Sequence, residues 1–82
     1  MYSHYVIVLD WATEDDEAIA ILGVTHTYED AKEIFDKQLV EEKQYVEERG
    51  YDVNHEDATT FDAGKMGCWR DNHTTLYIQG VN

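Results

Sequence analysis

The chain has 82 residues and a formal net charge of -12, from 18 Asp plus Glu against six Lys plus Arg. That length fits one domain, residues 1–82, with a core of its own, and an apolar fraction of 43% with two Trp, six Tyr and two Phe sets it apart from disordered chains of similar charge. The charge argues against direct nucleic-acid binding, where each phosphate contact calls for a cation, and against docking on an anionic membrane.

Residues His4 to Trp11 read as a strand with Tyr5, Ile7, Leu9 and Trp11 on one face and His4, Val6, Val8 and Asp10 on the other. Both faces are largely apolar, as in a central strand. The run Thr13-Glu14-Asp15-Asp16-Glu17 has no apolar residue and reads as a solvated loop. A second strand follows over Ala18 to Thr25, with Gly23 as a bulge or a point of close approach. The two strands predict a hairpin with a longer loop.

Thr27 is placed to cap a helix, with Glu29 and Asp30 where the helix dipole favours anions. The predicted helix runs from about Tyr28 to Arg49, with Tyr28, Ala31, Phe35, Leu39 and Val46 near one apolar stripe. Gly50 supplies its stop. Tyr51 to Glu56 reads as a connection, Ala58 to Asp62 as a short strand, Ala63 to Gly67 as a loop, and Thr74 to Gln79 as the last strand. The expected fold class is α+β, in the order β-β-α-β-β, with one amphipathic helix (about 28–49) packed on one face of a small antiparallel sheet. Such an arrangement leaves Val6, Val8 and Tyr77 on a second sheet face. A solvated surface and a homodimer are equally compatible with that face.

Several constellations invite a chemical reading. The acids Glu14, Asp15, Asp16 and Glu17 are hard oxygen ligands, but they lack the alternating spacing and turn glycine of a calcium loop. His55, Cys68 and His73 are the alternative metal set, without the paired close ligands that zinc sites carry. Cys68 as a nucleophile would need a thiolate-favouring setting, and a strongly negative chain disfavours one. Asp10, at a strand end, is the remaining catalytic carboxylate to consider. No phosphate loop or Ser-His-Asp signature is present, so neither an enzyme nor a bound cofactor is expected. The charge itself is the fourth constellation. Glu14, Asp15, Asp16 and Glu17, with Glu29, Asp30, Glu33 and Asp36 on the polar side of the helix, form a candidate partner-binding surface, and Trp69 is a candidate aromatic anchor beside it.

The segments Tyr5 to Thr13, Ile21 to Val24 and Thr27 to Lys32 together resemble a pattern in small acidic proteins of Gram-positive bacteria and their mobile elements. That resemblance covers the N-terminal half and implies a compact bacterial or phage-derived protein. It transfers no active site. Because such proteins include inhibitors of host nucleic-acid machinery, it adds weight to a basic protein partner.

The leading expectation is a non-enzymatic acidic protein-interaction module, in its sharpest form a DNA-mimic inhibitor of a basic nucleic-acid-binding protein. One alternative is a metal- or small-molecule-binding domain using the C-terminal Cys, His and Asp residues; another is a salt-adapted soluble domain. The lone cysteine, with no basic-then-apolar N-terminal run, gives a cytoplasmic location as the expectation.

Overall fold

Alternation of apolar side chains drives the first half of the chain into a hairpin. In a computed structural model, which describes residues 2–65, 67 and 71–82, β1 (His4–Ala12) and β2 (Glu17–Thr25) pair antiparallel. The helix α1 (Tyr28–Arg49) follows, then β3 (Asp52–Glu56), β4 (Thr60–Gly64) and β5 (His73–Val81). The five strands form one antiparallel sheet in the order β2-β1-β5-β4-β3. The expected α+β architecture, one helix on one face of an antiparallel sheet, is the one observed.

The core follows from register. Tyr5, Ile7, Leu9 and Trp11 of β1 lie opposite Gly80, Ile78, Leu76 and Thr74 of β5. Ile7 and Leu76 join Phe61 and Ala63 of β4 and Ala31, Phe35 and Val46 of α1 in one buried cluster. A strand buries every second residue and a helix every third or fourth, so the two patterns meet on the same face.

The helix ends as its sequence dictates. The Thr27 hydroxyl accepts a hydrogen bond from the Asp30 N–H at 3.2 Å, which satisfies one free donor of the first turn. Gly50 sits at φ 69°, ψ 31°, a left-handed conformation that costs glycine little. Gly23 marks a close approach of a different kind. It faces the helix, and a Cβ there would lie 2.8 Å from Ile34 Cδ1. The register of the hairpin also shifts beside it, leaving Leu22 as the extra residue of a bulge.

Three boundaries differ from expectation. Residues 52–56, expected as a connection, are the strand β3. Every one of them is exposed, so no period-two burial marks the segment, and pairing with β4 alone makes it a strand. Ala63 and Gly64, expected in a loop, belong to β4, where they lie opposite Thr74 and His73. The last strand extends from His73 to Val81 because all nine residues of β1 find a partner in it.

The β3–β4 turn is tied by Asp57. Its Oδ1 accepts from the Thr59 N–H at 2.9 Å and the Thr60 N–H at 2.8 Å, and its Oδ2 lies 2.7 Å from His55 Nε2. The Thr59 amide, followed by the His55 contact, lowers the carboxyl pKa to about 2. A depressed pKa stabilises the fold above the unfolded value near 4, and the contribution disappears as pH falls through about 2. Asp57→Asn is therefore expected to flatten the decline in urea midpoint between about pH 4 and about pH 2. Parallel declines in the two proteins would assign that pH dependence to other groups.

Candidate functional site

The hairpin topology separates the acids that the sequence grouped into one candidate surface. Glu14, Asp15 and Asp16 form the β1–β2 turn, where the Thr13 N–H donates to the Asp16 carbonyl at 2.7 Å and the Glu17 N–H to Asp16 Oδ1 at 2.9 Å. Glu14 and Asp15 border a surface depression with Arg49, Gly50 and Tyr51, which places the turn at the C-terminal end of α1. Glu29 and Asp30 stand in the first turn, at the other end of a helix about 33 Å long. Glu33 and Asp36 lie close to that first turn, each beside a lysine: Lys32 to Asp36 at 2.7 Å and Lys37 to Glu33 at 3.5 Å. The turn acids and the four helix acids are thus separated: the former lie by the C-terminal end of α1, the latter in its N-terminal half. Trp69 falls outside the described residues.

Magnitudes weigh against the sharpest form of the acidic reading. The exposed acids of α1 are Glu29, Asp30, Glu33, Asp36, Glu41, Glu47 and Glu48, and Lys32, Lys37, Lys43 and Arg49 are interleaved with them. With the buried Glu42 that makes eight acids against four bases, a net of four negative charges along the helix. Duplex DNA carries one per about 1.7 Å of axis. A single copy is a dilute imitation of that array.

The alternative metal residues are also held apart. His55 is on β3 and exposed, hydrogen-bonded to Asp57. His73 is on β5 and buried, with Nε2 3.5 Å from Asp10 Oδ1. The whole of β4 lies between those strands. Cys68 falls outside the described residues. Among the described residues no group of three or more His, Cys, Asp or Glu side chains is arranged to hold a metal ion. Nor, among them, is any helix long and apolar enough to cross a membrane.

What the structure does assemble is an apolar strip on the sheet face opposite the helix. Register places Val6 beside Val24, Val8 beside Ile21, and Asp10 beside Ile19. Tyr77 of β5 adjoins Val8 from the other side. Ile19, Ile21 and Val24 are exposed at 70%, 58% and 61%, and no described element covers them. The same three residues belong to β2, which forms one edge of the sheet. From Ala18 to Thr25 that strand has no charged residue. The opposite edge, β3, is five residues long, with Asp52, His55 and Glu56 along it. Natural edge strands are protected by charge, shortness and bulges. β3 has all three. β2 has nine residues and only the bulge at Leu22.

A second feature was missed from sequence. Glu42 stands on the buried stripe of α1, seven residues after Phe35 and four before Val46, and is 8% exposed. Its Oε1 accepts from the Thr74 hydroxyl at 2.8 Å and its Oε2 from Gln38 Nε2 at 2.6 Å. It borders a cleft of about 430 Å³ between α1 and β1, with Leu9, Trp11, Tyr45 and Arg49 among the walls. An acid at the 3.6-residue spacing of the core was the available signal.

No protein-family model, curated protein or solved structure matches the chain.

Proposed function

We propose that the chain is a non-enzymatic interaction module that docks an extended protein strand against the free edge of β2. The observation that carries this reading is the contrast between the two sheet edges. β3 is short and charged, whereas β2 presents nine residues with no charge from Ala18 onward. An added strand would satisfy the outward backbone groups of β2, and its alternate side chains would extend the strip formed by Ile19, Ile21 and Val24.

Titration of the isotope-labelled protein with a soluble alternating Val-Thr peptide, followed by NMR, tests the reading. Perturbations centred on β2 and reaching β1 are expected, and Ile21→Lys should weaken binding roughly tenfold. Perturbations centred on the exposed helix acids, or no response at millimolar peptide, would overturn it. The rival reading, a basic protein gripping the acidic surface, predicts binding that weakens as salt is added.

A further inference from the structure

The occupant of the β2 edge can be narrowed by asking which strand suits it. Its residues from Ala18 to Thr25 are uncharged, so a basic segment gains no ion pair along that stretch. It is also the place on a strongly acidic chain where another acidic chain can approach with least repulsion. The rest of the surface carries the charge: the turn at Glu14 to Asp16, the outer face of α1, and β3. A strand that is apolar on one face and uncharged along its edge is what β2 itself presents.

Building on the strand-docking reading above, we propose that the occupant is a second copy of this chain. The two β2 strands pair antiparallel and join two five-stranded sheets into one of ten strands. The pairing is self-complementary, as a two-fold contact requires. Antiparallel alignment sends the two Glu14 to Glu17 turns to opposite ends of the shared strand pair, roughly 30 Å apart for nine residues. A parallel alignment would set them side by side. The two-fold axis then stands perpendicular to the sheet, so both helices lie on the same face. On the other face the two strips of Ile19, Ile21 and Val24 become neighbours and shield each other from water. The helical faces also combine, and the net negative charge along one helix is doubled across the pair.

Sedimentation velocity over a wide concentration range at about 0.15 M salt tests the proposal. The wild-type chain is expected at twice its monomer mass. Ile19→Lys/Ile21→Lys should weaken the association at least thirtyfold, because antiparallel pairing centred on the nine-residue strand sets position 21 directly beside its own copy and the second lysine removes apolar area from the same strip. Both positions are exposed, so the variant should keep the wild-type circular dichroism. Val40→Lys, at an equally exposed position on α1, should leave the dimer intact. A wild-type chain that stays monomeric at every concentration, yet still binds the Val-Thr peptide at β2, overturns the second copy as occupant and leaves strand docking standing. A dimer that persists in the double-lysine variant places the contact elsewhere and overturns the second copy as the occupant of β2, while the peptide titration still decides strand docking.

Discussion

Self-association is expected to tighten roughly ten- to hundredfold when salt is raised from about 0.05 M to about 0.15 M. Each copy has a formal charge of -12. Two sheets joined edge to edge, at about 4.8 Å per strand, put the two centres about 24 Å apart. Unscreened in water, that repulsion is on the order of 25 kcal/mol, more than a strand pair can offset. Screening lengths of about 14 Å and about 8 Å at the two salt concentrations reduce it to roughly 4 and roughly 1 kcal/mol. The remaining difference sets the expected change, with bound counterions lowering it. The sign distinguishes two partners. A second acidic copy binds better as salt rises, and a basic partner binds worse. Sedimentation equilibrium at the two concentrations measures it, and a dissociation constant that is flat or rises with salt would sink edge pairing between copies.

Charge and docking surface are complementary in this fold. Most of the acids stand on exposed turns and helix positions, and Ala18 to Thr25 of β2 carries none. Part of that pattern was readable in sequence. The caps at Thr27 and Gly50 and the apolar residues between them delimited α1, because a helix writes its ends locally. Alternation in residues 4–11 identified β1 and assigned Val6 and Val8 to a face away from the helix. The role of β2 was not readable. Ala18 to Thr25 predicts a strand, but whether that strand lies inside the sheet or at its edge depends on β5 pairing with the far side of β1, a contact between residues some 70 positions apart. The separation of the acids was hidden for the same reason. Glu14 and Glu29 are close in sequence, and the antiparallel course of β2 carries the chain from one end of the sheet to the other between them. β3 was missed because its side chains are all exposed and carry no burial pattern.

Glu42 carries a large expected single-residue effect on stability. Glu42→Ala should cost about 2–4 kcal/mol: it removes hydrogen bonds to a charged acceptor and strands the Thr74 hydroxyl in the core. Thr74 is fully buried, whereas Gln38 is partly exposed and can turn to water. For a domain of 82 residues, total stability is on the order of 4–12 kcal/mol, so the loss is a large share. Glu42→Leu/Thr74→Val removes the acid and its buried donor together and fills the space beside Leu9, Trp11 and Tyr45 with apolar atoms. That double variant should be at least as stable as wild type, because an ionised carboxylate is costly to bury even when hydrogen-bonded. Urea midpoints of the three proteins decide the matter. A double variant as unstable as Glu42→Ala would show that the hydrogen bonds are not the source of the loss. A double variant more stable than wild type would mean that the acid is retained against the interest of the fold. Its position on the wall of the cleft would then be the property to explain.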